Sequence, residues 1–381
     1  MSTAEPRYDL TVALTYYTPY MSGVTHTAQT VAEGLAARGW RVAVVTSQHD
    51  KSTPLRETIN GVDVYRARVL GQITRAQISP EYPVLAARLA RRSGVFLLNL
   101  PMAEGAVVAQ LVGSTPIVSM LHIDLYLPPG LLNRVAVAAS DVTSWAALRR
   151  SAAVVAYSDD QAHASKFWPT MRRREHRFIP APCLDRRGGQ PRYRRTGGLH
   201  VGFLGRIVED KGIPYLVRAF RKITDPDARL LIGGNYKTVM GGDDLAAIRA
   251  EIGADDRIEV LGELRGKEID DFYASIDVFA LPSVAESFGI VQAEAMMCGV
   301  PSVTTDLPGG RYPVLATQFG AVVPPRDPPA LHRAILELGA APADWRDAKA
   351  REARKLFAAE HGLDAYQDLF THLHPNPPTR P

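Results

Sequence analysis

Apolar runs of strand length alternate with segments of helical period along the whole chain. Through the first half the pattern predicts strands at Asp9–Thr15, Arg41–Thr46, Val62–Tyr65, Val95–Leu100, Pro116–Leu121, Ala153–Tyr157 and Arg177–Ile179. Helices such as Thr25–Arg38, Tyr82–Arg92, Glu104–Val112 and Asp159–Phe167 separate them. Continuous apolar strands between helices are the pattern of a parallel sheet buried on both faces. At 185–198 the string DRRGGQPRYRRTGG loses apolar residues and gathers glycine, proline and charge, as a linker does. The alternation then restarts, with strands at Leu199–Leu204, Ala228–Ile232, Ile258–Leu261, Val278–Leu281, Pro301–Thr304 and Gly320–Val323. Helices are predicted at Ile213–Ile223, Leu245–Ile252, Lys267–Ser275, Ile290–Cys298 and Ala330–Leu338, and two more, DWRDAKAREARKLFAAE and LDAYQDLFTHL, precede a proline-rich end. The fold class predicted is α/β, with two facing Rossmann-like, doubly wound parallel-sheet domains. The domains run 1–190 and 191–358, with 359–381 as a separate helix and tail. Such sheets bind ligands outside the carboxyl ends of their strands, so a substrate is expected in a cleft between the two domains.

Length and composition agree with this picture. A chain of 381 residues with 46% hydrophobic and 22% charged residues suits two soluble globular domains. The start, MSTAEPRYDL, has an acidic residue and a proline where a secretion signal needs a basic start and an uninterrupted apolar run. The longest apolar stretch, 106–121, is broken by Gln110, Gly113, Ser114 and Pro116. With only Cys183 and Cys298 there is neither a disulfide framework nor a four-cysteine zinc site, and a cytoplasmic location is expected. The net charge of +4 conceals a local excess: Lys166 to Arg195 holds Lys166 and nine arginines against Glu175 and Asp185. No nucleic-acid motif accompanies this cluster, which leaves a solvated face or a peripheral contact with anionic lipid.

Candidate chemistry sits just after predicted strands. The string GRIVEDKG follows the strand ending at Leu204, and Gly205 permits a tight turn. Arg206 and Lys211 place two cations on the approach to a helix N-terminus, a setting suited to a diphosphate. The second string is LPSVAESFGIVQAEAMMCGVP, residues 281–301. The amides of Phe288, Gly289, Ile290 and Val291 would form an anion seat at a helix start, with Glu294 beside it and Glu286 across it. Asp225-Pro226-Asp227 has the spacing of a metal-binding D-x-D but falls in a turn before a strand, where a structural role is the expectation.

Together, GRIVEDKG and ESFGIVQAEAMMCGVP resemble the signature of the family 4 glycosyltransferases, which have the two-domain GT-B fold. The opening TYYTPYMSGVTHTAQTVAEGLAARGWRVAVVT and the later PIVSMLHID are similar to that family's first βα unit and to its histidine-bearing strand. The resemblance implies a C-terminal helix that crosses back to the first domain. It implies a retaining transferase acting on a nucleoside-diphosphate sugar, UDP- or GDP-linked with UDP favoured, and a hydroxyl acceptor that is a small molecule, a natural product or lipid-linked. By the same resemblance Arg206 and Lys211 would hold the diphosphate, Glu294 the ribose and Glu286 the transferred sugar. His122 would face that sugar, Gly23 would give the phosphates room, and the base would lie near Gly234 and Leu261. Catalysis is assigned to Glu286, His122, Arg206 and Lys211, with no cofactor and no metal in the scheme. Tyr16, Tyr17, Asp124 and Tyr126 are candidate acceptor contacts. A monomer or homodimer that binds no nucleic acid is expected. A hydrolase or epimerase, or a non-catalytic sensor of nucleotide sugars, stays open as an alternative. The segment IPAPCLD, where the family commonly has Pro-Asn-Gly, and Arg311-Tyr312, where many members carry a glutamate, depart from the pattern.

Overall fold

A computed structural model describes residues 8–73, 76–125, 130–235 and 245–378, and divides the chain into two units. The first unit comprises the chain up to Pro182 and from Gly362 onward, and the second comprises Cys183–His361. The boundary thus falls eight residues before the sequence-based 190/191. The physical reason is that 183–198 packs on the second unit: Cys183 bridges to Ala358, and the Gln190 amide donates to Asp271 at 2.7 Å. The expected linker is part of that unit's surface.

In the first unit, β1 (Tyr8–Ala13), β2 (Val42–Ser47), β3 (Arg56–Ile59) and β4 (Val62–Ala67) precede a small ribbon of β5 (Gly71–Ile73) and β6 (Ala76–Ile78). Then come β7 (Ser93–Leu100), β8 (Ile117–Leu121), β9 (Ala153–Ala156) and β10 (Glu175–Phe178). The main sheet has the order β10-β9-β8-β7-β1-β2-β4-β3, parallel except for β3 against β4. Residues of β1, β2, β7 and β8 are buried throughout, as two helical layers require. The helix Ala359–Leu373 ends this unit. Its Tyr366 hydroxyl meets Met120 Sδ at 3.4 Å, and Arg38 pairs with its Asp364 at 2.8 Å.

The second unit is a six-stranded parallel sheet built from β11 (His200–Leu204), β12 (Arg229–Gly233), β13 (Ile258–Gly262), β14 (Val278–Leu281), β15 (Ser302–Thr305) and β16 (Gly320–Val323). Its order is β13-β12-β11-β14-β15-β16. The strand order reverses between β11 and β14, so the loops leaving these two strands open a crevice at their carboxyl ends.

Several elements differ from expectation, among them the unpredicted ribbon of β5 and β6 and the helix Tyr312–Thr317. The helix Leu131–Arg150 went unpredicted because its apolar residues point outward instead of forming a core stripe: only Ser144, Ala147 and Leu148 are buried. The predicted helix Asp159–Phe167 stops at Ala164, and a further short helix, Trp168–Met171, begins just past its predicted end. Asp124 separates them by accepting hydrogen bonds from Ser165 Oγ at 2.6 Å and the Lys166 amide at 3.0 Å. Finally, β3 has an alternating polar pattern that carries too little apolar signal to stand out.

Candidate active site

Both predicted motifs lie at the switch point of the second unit. After β11 the chain passes Gly205 and Arg206, makes a 3-10 turn over Glu209–Lys211, and enters the helix Ile213–Phe220 through Gly212. Gly212 has a φ of 63°, and a Cβ there would lie 2.1 Å from the Pro282 carbonyl oxygen, so only glycine lets this turn touch the loop after β14. The Val284 amide donates to the Asp210 carbonyl at 2.8 Å and closes the contact. Gly234, with a φ of 156°, rests on the Gly205 carbonyl, where a Cβ would stand 1.7 Å away. The Gly234 amide donates to Gly262 at 2.7 Å, so Gly205, Gly234 and the Leu261-Gly262 step align along the ends of β11, β12 and β13.

Lys211 Nζ donates to Glu286 at 2.9 Å, with both side chains largely buried. The Ser287 amide donates to the same carboxylate at 3.0 Å. Burial alone would raise the carboxyl's affinity for a proton, but the Lys211 charge, its hydrogen bond and the Ser287 and Phe288 amides hold Glu286 below its ordinary range. Glu286 therefore sits on the anion seat, whereas the sequence suggested it lay across it. Phe288 contributes its amide only. Its ring is buried and packs edge-on against Phe357, with centroids 5.7 Å apart. The helix Ile290–Met297 then begins at Gly289, and its first two amides, Ile290 and Val291, lack carbonyl partners within the helix. Arg206 reaches Asp210 only at 3.6 Å and remains part-exposed.

Glu294 lies one turn into this helix, with a nearly buried side chain. Tyr273 donates toward its Oε2 at 3.2 Å, and Arg186 Nε approaches its Oε1 at 3.4 Å. Arg186 also reaches Asp270 at 3.4 Å. Here burial prevails over Arg186 and Tyr273, and the Glu294 carboxyl is pushed above its ordinary range. The two glutamates are thus tuned in opposite directions. Sequence reasoning missed Arg186, which was hidden among the arginines of the expected linker. It also missed Gln292, whose Nε2 donates to Phe288 and Gly310 carbonyls at 2.8 and 2.6 Å and fixes the seat.

In the first unit, Gly23 opens the helix Gly23–Ala37 with open space beside its Cα, after Ser22 caps the helix by accepting from the Thr25 amide. Tyr16 stacks near Tyr20 at 4.8 Å and accepts a hydrogen bond from Gln77. Tyr17 is fully buried, and Asp124 is spent on Ser165 and Lys166, so neither presents a free contact surface in this conformation. Tyr126 lies outside the described residues. The Asp225-Pro226-Asp227 string forms a turn, with the Asp227 amide donating to Asp225 Oδ1 at 2.9 Å.

His122 is also inside the unit, at 2% exposure. Asn99 Nδ2 donates to the Ala13 carbonyl, which turns Asn99 Oδ1 toward His122 Nε2 at 2.7 Å. The imidazole therefore carries its proton on Nε2 and accepts from the Tyr157 hydroxyl at Nδ1, 2.6 Å away. With both nitrogens engaged, the expected contact with a sugar requires this ring to leave its partners. Burial pushes its pKa down to about 3, against 6.5 for the free side chain. The unfolded chain takes up a proton that the folded chain refuses, so this contribution to stability is complete above pH 6.5 and is lost as the pH falls toward 3. His122→Gln is expected to flatten the fall of Tm below pH 6.5, and an unchanged slope would count against the assignment.

The family model described as glycosyltransferase family 4 matches residues 21–180, and the model described as glycosyl transferases group 1 matches 198–340. The chain belongs to the family 4 glycosyltransferases. As a family 4 member it is 32% identical over 182 residues to a D-inositol 3-phosphate glycosyltransferase of Xylanimonas cellulosilytica, a match spanning 47% of this chain and 43% of the relative. The chain spans less than half the length of the first curated relatives it matches. Among solved structures, sucrose-phosphate synthase from Thermosynechococcus elongatus superposes with a TM-score of 0.78 at 20% identity, over 96% of this chain and 99% of that one. Anabaena HepE in complex with UDP-glucose gives 0.73 at 18% identity, over 96% and 100%. Both have the GT-B fold, and so does this family 4 member.

Proposed function

We propose that this chain moves a hexosyl group from a nucleoside-diphosphate sugar, UDP-linked in preference to GDP-linked, to an acceptor hydroxyl with retention of anomeric configuration. The observation that carries the proposal is the buried Lys211–Glu286 pair at the start of helix Ile290–Met297, with Glu294 one turn further on. A lysine ammonium has three donors. One is held by Glu286, and two remain for diphosphate oxygens, with Arg206 and the helix amides adding positive potential. Glu286, kept ionised, accepts from hydroxyls of the transferred sugar. Glu294, with Arg186 as counter-ion, accepts from the ribose hydroxyls. Gly23 is assigned to the donor phosphates and Tyr16 to the acceptor.

In the reaction the bond from the anomeric carbon to the diphosphate oxygen breaks, and its electron pair stays on that oxygen. The acceptor oxygen bonds to the carbon on the same face, and its proton passes to the leaving phosphate. No protein nucleophile and no metal takes part in this scheme. The relative named for inositol 3-phosphate and the neighbour solved with UDP-glucose support a small hydroxylated acceptor and a UDP donor.

The test is release of nucleoside diphosphate from UDP- and GDP-sugars with and without candidate acceptors. Release only with acceptor supports transfer. Release without one would make the chain a hydrolase, and tight binding without turnover would make it a sensor. Arg186 gives a second check. Arg186→Ala removes the counter-ion of a carboxyl that burial already pushes up. UDP-induced shifts in Tm are therefore expected to shrink at neutral pH and to recover as the pH rises. A loss that does not vary with pH would reject this role.

A further inference from the structure

The helix Leu131–Arg150 leaves an apolar face uncovered. Leu131, Leu132, Val135, Val142 and Trp145 are 77%, 84%, 61%, 62% and 39% exposed. With the exposed Ala138 and Ala139 they fall in one arc of about 140° at 3.6 residues per turn, opposite the buried Ser144, Ala147 and Leu148. Arginines bound the stripe at both ends: exposed Arg134 near its start, Arg149 and Arg150 at its close. Trp145 packs edge-on against Phe167, and Arg174 donates to the Arg149 carbonyl, which brings the basic turn Arg172–Arg174 beside the same helix end. An exposed apolar stripe about 21 Å long, from Leu131 to Trp145, requires an explanation.

The basic segment noticed in the sequence divides here. Its second half is neutralised within the second unit, where Arg186, Arg187, Arg192, Arg194 and Arg195 each pair with Asp or Glu. Arg172 and Arg173 have no ion pair among the described residues, and neither have Arg134, Arg149 and Arg150. The one acid in the helix, Asp141, is held by Lys166 at 2.7 Å. Over residues 131–178 eight Lys and Arg face four Asp and Glu, a surplus equal to the +4 of the entire chain.

We infer that this face docks on an anionic lipid surface, the helix lying in the plane of the interface with its apolar arc among the acyl chains and its arginines at the headgroups. Apolar side chains flanked by cations match that boundary. A second copy of this chain fits less well. A two-fold contact presents the same patch from both sides, so arginines would meet arginines with no carboxylate on the arc to receive them.

The test is co-sedimentation of the full chain with vesicles of phosphatidylcholine alone or mixed equally with phosphatidylglycerol; it does not depend on catalysis. Binding to the anionic vesicles, weakened by salt, is expected. Leu132→Glu with Val135→Glu should lower the affinity about tenfold or more, and Arg149→Ser about fivefold, with Tm unchanged because these side chains are exposed. Failure of the wild-type chain to bind anionic vesicles, or equal binding by the Leu132/Val135 variant, would overturn the inference. So would a dimer by light scattering that the same variant dissociates.

Discussion

Glu286→Ala is expected to slow sugar transfer about 10- to 100-fold, the loss of hydrogen bonds from sugar hydroxyls to an ionised group, while affinity for UDP stays level or tightens. The second half of this expectation comes from the geometry. In the folded chain Glu286 neutralises Lys211 and accepts from the Ser287 amide. Removing its carboxylate frees an ammonium and the Ser287 loop amide for phosphate oxygens. Rate and binding should therefore separate, which steady-state kinetics beside direct UDP titration can read. Equal loss of both would mean that Glu286 serves the nucleotide and not the sugar.

Lys211→Ala should reduce both UDP affinity and rate, and it should also destabilise the chain. It leaves Glu286 buried without its counter-ion, a change that costs about 3–5 kcal/mol when a buried pair is broken from one side. Lys211 helps to hold Glu286 below its ordinary 4.5, so the pair's contribution is present above that pH and lost as the pH falls through the lowered folded value. The Tm deficit of the variant should accordingly be largest at neutral pH and shrink on acidification. The double variant Lys211→Met, Glu286→Gln should recover much of the stability without recovering activity. A Tm unaffected by Lys211→Ala would show that the pair is not held in solution.

Most of the parallel strands were legible because they are largely apolar runs, as in β1, β2, β7 and β8, and the motifs were placed after such runs. Lys211 and Glu286 belong to different motifs, 75 residues apart, and no local pattern states that they bond; strand order at the switch point decides that. Arg186 was read as linker charge, since its partners Asp270 and Glu294 are also distant in sequence. His122 was found as a strand-end histidine, but Asn99 on β7 and Tyr157 just past β9, which fix its ring, carry no signal of their own. The helix Leu131–Arg150 escaped for the opposite reason: helical period is recognised by the side that faces a core, and here the apolar side faces outward.

The first unit is assembled from both ends of the chain, with the second unit inserted between Pro182 and Gly362. On the ribosome this reverses the apparent order of domains. A nascent chain that has reached His361 already contains every strand of the second sheet. Its first sheet must still wait for Leu363, Tyr366, Leu369 and Phe370, all buried in the folded unit. Of the two units, the one that begins first is completed second, and the helix Ala359–Leu373 is what seals it.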